Sequence, residues 1–204
     1  NADWCNTVGY PLFTWTDGEQ VCQKQMSLGV EKDIIQVIRS KDEECMDILK
    51  NSLKDGGCAG IILNTVARAQ DFAQKISECF PECEMIQMHS QFIISDRAEI
   101  EREILKRAGK NSTPEQRNKL IIVGTQVLEQ SLDIDFDVMI TDLCPMDLLL
   151  QRIGREHRHK GRKRPLCLQK AKCYVLTETR VVYDKWLLQR TADKLPEHFC
   201  FPDD

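Results

Sequence analysis

Residues 136–159 read FDVMITDLCPMDLLLQRIGREHRH. An almost unbroken apolar run, FDVMITDL, comes first, and PMDLLLQRIGREHRH follows with helical spacing. A short continuous apolar run bounded by turn residues is what a strand buried on both faces requires. Such a strand followed by a helix is the repeating unit of a parallel sheet. Working outward, CAGIILN (58–64), EMIQMH (84–89), KLIIVGT (119–125) and KAKCYVLTE (170–178) read as further strands. Helical spacing fills the intervals: VARAQDFAQKISECF (66–80), SDRAEIEREILKRAGK (95–110) and VVYDKWLLQRTADKLP (181–196). Ser95 is the expected N-cap of its helix, with Ile100, Ile104, Leu105 and Ala108 on one face and Gly109 at the end. The expected fold class is α/β, a parallel sheet sandwiched between helices.

The first 40 residues read differently. PLFTWTDGEQVCQ (11–23) carries the Asp17-Gly18 hairpin signal, and DIIQVIRS (33–40) reads as a strand. The spacing in KDEECMDILKNSLKDGG (41–57) then predicts a helix stopped by Gly56-Gly57. The expected division is a β-rich extension or linker strands at 1–40 and an α/β domain at 41–204.

The chain has 204 residues and a formal charge of -4. No apolar stretch has the length of a membrane span, so no membrane association is expected. The N-terminus NADWCNTVGY shows no signal peptide, and without an initiator methionine the chain is expected to be a piece of a longer one. None of the ten cysteines forms a CxxC pair, so buried free thiols in a reducing cytoplasm are expected, not zinc or disulfides.

Against this acidic background QRIGREHRHKGRKRP (151–165) concentrates positive charge. On a continuous helix Met146, Leu149, Leu150, Ile153 and His157 share an apolar side, which makes His157 a packed histidine. Gln151, Gly154, Arg155 and Arg158 fall at i, i+3, i+4 and i+7 on an adjacent side. Two permanent, forked charges aimed at one point suit a polyanion, and Gly154 leaves room for its approach. A solvated basic face is the alternative. In parallel α/β sheets ligands gather at the carboxyl ends of strands, which singles out Asn64, Thr65, His89, Ser90, Thr125, Gln126 and the turn leading to Gln151. Several of these also fit a capping role, Thr65 above all.

QRIGREHR resembles the Q-x-x-G-R-x-x-R motif of superfamily two helicases. With TQVLEQSLDID (125–135) just upstream, and IILNTVARAQ, MHSQF and YDKWLLQRT in order, residues 58–203 resemble the CRISPR-associated helicase–nuclease of type I systems. Gln130 and Ser131 stand where generic RNA helicases usually have arginine and glycine. The resemblance implies a RecA-like fold and an ATP-dependent helicase that translocates on single-stranded DNA in antiviral defence. It implies ATP and Mg2+ as cofactors, bound mainly by a first RecA-like domain. Further implied partners are that domain and a nuclease domain of the same polypeptide, and a CRISPR RNA-guided surveillance complex.

No G-x-x-x-x-G-K-[ST] occurs, and DEEC (42–45) sits where a helix's first turn favours acids. The chain is therefore expected to be the second RecA-like domain, inactive on its own. By resemblance Arg155 and Arg158 serve as arginine fingers and Gln151 positions water or the γ-phosphate. Asp133 contacts the ribose or braces the arginines, and Gly154 belongs to the same nucleotide site. Asn64, Thr65, His89, Ser90, Thr125 and Gln126 hold the DNA backbone, with Gln91 replacing a usual arginine. Four histidines and no His-Asp pair offer no metal site. His159, Lys160, Arg162, Lys163 and Arg164 are expected to form a nucleic-acid-facing loop or a solvated run. A non-catalytic nucleic-acid or partner-binding module using that loop, or half of an RNA helicase, are the other readings.

Overall fold

The computed structural model describes residues 12–25, 33–129, 132–178 and 182–201. Two compact units divide the chain: Asn1–Asp33 with Cys200–Asp204, and Ile34–Phe199. In the first, β1 (Leu12–Thr16) and β2 (Val21–Gln25) form an antiparallel hairpin. Its turn holds Gly18 at φ +99°, and the Asp17 carboxylate accepts the Glu19 and Gln20 amides at 3.0 and 2.9 Å.

The larger unit is built on β3 (Asp33–Ser40), β4 (Cys58–Ile62), β5 (Glu84–Met88), β6 (Leu120–Gly124), β7 (Val138–Asp142) and β8 (Lys172–Leu176). With β9 (His198–Phe201) they form a seven-stranded sheet in the order β5-β6-β4-β7-β8-β3-β9. All the pairings from β5 through to β3 are parallel. The strand expected at 33–40 is thus present, but it lies inside this sheet beside β8, not in an extension.

Every residue of β4, β6 and β7 is buried, which explains their unbroken apolar runs. Two helices, α1 (Cys45–Ser52) and α2 (Val66–Cys79), place Cys45, Leu49, Ala69, Phe72 and Ile76 against Ala59, Ile61, Ile121, Val123, Val138 and Ile140. The remaining helices are α3 (Ile94–Ala108), α4 (Met146–Ile153) and α5 (Lys185–Lys194). Gly60 faces the Phe136 ring, which a Cβ there would meet at 2.4 Å, so only glycine fits.

Local details differ from expectation in places. Thr65 caps α2, its hydroxyl accepting the Arg68 amide at 3.2 Å. Ser95 does not cap α3: it lies in the first turn and bonds Asp96, while Ile93 is the cap residue. Ile104 and Ala108 are buried on α3, but Leu105 is exposed. Asp42, the first acid of DEEC, pairs with Arg68 through both carboxylate oxygens at 2.5 and 2.6 Å, a structural role. Nine described cysteines are free; Cys45, Cys58, Cys144 and Cys173 are buried, whereas Cys79 and Cys200 are exposed. Among the described residues no helix is long and apolar enough to cross a membrane.

Candidate functional site

The helix that carries QRIGREHR is shorter than its apolar spacing predicts. It ends at Ile153, and Gly154 closes it by donating to the Leu150 carbonyl at 2.9 Å. Arg155 and Glu156 then bond three residues back, to Arg152 and Ile153, a tighter 3-10 turn. Beyond it the chain pairs with Phe136: Phe136 donates to the Arg155 carbonyl at 2.8 Å and His157 donates to the Phe136 carbonyl at 3.0 Å. A backbone committed to that bridge cannot continue an α-helix, and His157 adopts φ +50° to make the turn. The continuous wheel over 146–158 is therefore wrong beyond Ile153. Leu150, assigned there to the buried side, is 37% exposed. Gln151 is exposed on α4.

Arg155 and Arg158 nevertheless meet one segment, residues 129–135. Arg155 donates Nη1 to the Leu132 carbonyl at 2.5 Å and Nη2 to the Glu129 carbonyl at 2.7 Å. Arg158 donates Nε to Asp133 Oδ1 at 2.9 Å, and its amide donates to Asp135 Oδ1 at 2.9 Å. His159 Nε2 also lies 3.4 Å from Asp133. Burial, reinforced by the Arg158 charge, lowers the Arg155 pKa, and Asp133 opposes the shift. The two arginines are held differently. Arg155 is partnered by neutral carbonyls, which leave its charge uncancelled. Arg158 shares its charge with an exposed carboxylate, a pair of small net worth that exchanges partners at little cost.

Arg152 was not singled out by sequence reasoning. It is fully buried, donating Nε to Glu129 Oε1 at 2.6 Å and Nη1 to Thr141 Oγ1 at 2.9 Å and the Asp142 carbonyl at 3.2 Å. The available signal was its place three residues after Leu149, which brings it toward the buried side of α4.

The residues after β4, β5 and β6 do line one edge, because those strands are neighbours in the sheet. Their side chains are less available than expected. Asn64, His89 and Thr125 are 5%, 5% and 2% exposed. Asn64 donates its side-chain amide to the Leu143 carbonyl at 2.9 Å, and its backbone amide donates to Asp142 at 2.8 Å. His89 stacks on Phe92 with ring centroids 4.4 Å apart, and burial lowers its pKa. Gln126 donates to the Asn64 carbonyl and the Tyr183 hydroxyl, both at 3.0 Å. Ser90 is exposed, and Thr65 is occupied by its cap. Gln130 and Ser131 lie outside the described residues.

The opposite, amino edge of the sheet gathers the other arginines. Asp137, just before β7, accepts Arg117 at 2.7 Å, Arg164, and the Cys58 amide at 2.7 Å. Asp135 takes Arg162 at 2.5 Å and Arg164 at 2.8 Å. Arg162 and Arg164 side chains are 7% and 6% exposed, so they belong to a folded ion-pair network and not to a nucleic-acid-facing or solvated run. Lys163 is exposed and lines a cleft of about 460 Å³ with Asp55, Gly56, Arg117, Asp137 and Arg164. His157 is half-buried with Nε2 3.2 Å from the Asp137 carbonyl, and burial lowers its pKa. Among the described residues no group of three His, Cys, Asp or Glu is placed to hold a metal ion.

Glu156 gives a testable pH dependence. It is 3% exposed; one carboxylate oxygen accepts the Lys172 amide and the other has no hydrogen-bond partner. Burial drives its pKa well above the ordinary 4.5. The folded state therefore holds this proton more tightly than the unfolded state does. Its effect on stability is most favourable at low pH and turns into a cost as pH rises from the ordinary value through the raised one. Urea denaturation at about pH 5 and about pH 8 should show Glu156→Gln losing less stability across that interval than the parent and exceeding it at the higher pH. A slope equal to the parent's would contradict the assignment.

A parallel sheet carrying a Q-x-x-G-R-x-x-R segment against its β7 strand defines a RecA-like domain. Residues 55–161 match the family described as CRISPR-associated nuclease/helicase Cas3, C-terminal. The chain belongs to this family. It is 44% identical over 213 residues to the CRISPR-associated nuclease/helicase Cas3 of Streptococcus thermophilus, covering 100% of the chain and 23% of that protein. The structure of T. fusca Cas3 with AMPPNP superimposes with a TM-score of 0.82 at 31% identity, covering 93% of this chain and 25% of that one. A chain of a CRISPR RNA-guided surveillance complex, pre-nicking, matches with a TM-score of 0.70 at 28% identity, covering 93% and 26%. The chain thus spans about a quarter of the length of these relatives.

Proposed function

We propose that residues 34–199 act as the second RecA-like domain of an ATP-dependent translocase on single-stranded DNA in type I CRISPR interference. A first RecA-like domain of the same polypeptide would hold ATP and Mg2+. Arg155 and Arg158 then supply guanidinium charge to the γ-phosphoryl group, Gln151 positions water or that phosphate, and Asp133 holds Arg158 in reserve until the cleft closes. Gly154, which has no side chain over the turn, leaves the nucleotide room beside Arg155. The observation that carries the reading is that both arginines converge on residues 129 and 132–135, Arg155 held by neutral carbonyls that leave its charge available and Arg158 by an exposed carboxylate it can give up. The AMPPNP-bound relative supports the nucleotide, and the surveillance-complex relative supports that partner.

The carboxyl edge suits the DNA backbone in modified form. The exposed Ser90 is the available side-chain donor, while Asn64, Thr65, His89, Thr125 and Gln126 shape the edge. Contacts of this kind position a strand without reading its sequence. A nuclease domain elsewhere in the same full-length polypeptide and a cytoplasmic setting complete the proposal. The basic-loop module is disfavoured by the buried pairs of Arg162 and Arg164.

The test compares this domain alone with the full-length protein. The domain is expected to hydrolyse no ATP. The full-length protein should hydrolyse it with stimulation by single-stranded DNA exceeding that by RNA. Robust turnover by the domain alone overturns the proposal, and greater stimulation by RNA favours an RNA helicase.

A further inference from the structure

The Glu129–Arg152 pair is the one fully buried ion pair adjoining the proposed finger, among the described residues, that the proposed mechanism leaves without a task. Glu129 performs two jobs at once. Its carboxylate accepts Arg152 Nε at 2.6 Å, while its main-chain carbonyl accepts Arg155 Nη2 at 2.7 Å. Arg152 in turn is fixed to the Thr141 hydroxyl and the Asp142 carbonyl at the end of β7, and Nη1 lies 3.4 Å from the Ile62 carbonyl at the end of β4. The carbonyl that orients Arg155 is therefore tied, through one side chain, to the rigid ends of two central strands.

The pair is poorly built as a stabilising device. Arg152 Nη2 and Glu129 Oε2 are buried without hydrogen-bond partners. A buried pair with unmet donors and acceptors is often matched or exceeded in stability by an apolar replacement of similar volume. Burial outweighs the attraction of Arg152 and raises the Glu129 pKa, which shows the same cost from the carboxylate's side. An arrangement that costs stability and fixes one particular carbonyl is explained by where that carbonyl must be.

We infer that Glu129 and Arg152 are positioning residues that set the Arg155 guanidinium for phosphoryl transfer. The inference builds on the function proposed above. It assigns a role in the turnover step to two residues that touch neither nucleotide nor DNA. A displacement of the finger by about 1 Å is enough to cost about a hundredfold in rate.

The experiment uses the full-length protein with saturating single-stranded DNA, measuring ATP kcat, KM and melting temperature together. The double variant Glu129→Met/Arg152→Met removes both charges and keeps the volume filled. It is expected to melt cooperatively near the parent temperature, with kcat lowered about 10- to 100-fold and KM within about threefold. Glu129→Gln keeps the acceptor for Arg152 and should retain most of kcat. Arg152→Lys keeps the charge but cannot span Glu129 and the strand ends together, so it should lower kcat without raising KM, and it provides the decision if the double variant does not fold. A folded double variant, or Arg152→Lys, with kcat within about twofold of the parent overturns the inference, as does a loss carried wholly by KM. Persistence of ATPase in Arg155→Ala would instead overturn the functional reading itself.

Discussion

Arg155→Ala in the full-length protein is expected to reduce ATP turnover by about 10³–10⁵-fold, the range associated with removal of an arginine finger. The fold should survive, because the guanidinium is only half-buried and its partners are the Glu129 and Leu132 carbonyls, not a buried charge. Arg155→Lys is expected to recover little, since an ammonium cannot engage two acceptors in the forked geometry seen here. Steady-state ATP hydrolysis with circular dichroism on the same samples checks both statements. Turnover within tenfold of the parent would remove Arg155 from the chemistry.

Asp137→Ala should have the largest effect on folding. Its carboxylate joins Arg117, Arg164 and the Cys58 amide at the start of the two central strands. The Arg117 side chain is 3% exposed, so loss of Asp137 leaves a largely buried charge without its closest partner. Removing one member of a buried pair costs about 3–5 kcal/mol. That is a large share of the stability of a domain this size. Urea denaturation of the purified domain measures it, and a loss below about 1 kcal/mol would show that the network relaxes around the gap.

The sheet was legible because its central strands are covered on both faces and therefore carry unbroken apolar runs. The Thr65 cap was legible for equally local reasons, whereas α1 ends at Ser52, short of the expected stop at Gly56-Gly57. The end of α4 was not. Gly154 is a local stop signal within QRIGREHR, but what commits the chain to leave the helix there is the bridge to Phe136, a contact set by the tertiary fold. The order of charges misled in the same way. GRKRP reads as a solvated run until Asp135 and Asp137 are seen beside it, and these lie more than twenty residues away in sequence. Arg152 stayed hidden because an arginine directly after Gln151, in a segment rich in basic residues, looks like a member of the polar face. The likeness to a helicase motif singled out Arg155 and Arg158, while the continuous wheel used to orient them failed beyond Ile153.

The distribution of cysteines has a practical corollary. Thiols at Cys45, Cys58 and Cys144 have pKa values pushed up to about 12 by burial, and burial also drives Cys173 well above the ordinary value. Almost no thiolate exists at these positions at neutral pH, and thiolate is the species that reacts with oxidants, maleimides and soft metals. Oxidative ageing of the larger unit should therefore begin on the surface of α2, at Cys79, long before it reaches the sheet. A fluorophore attached there would report on domain motion while the interior sulfurs remained untouched.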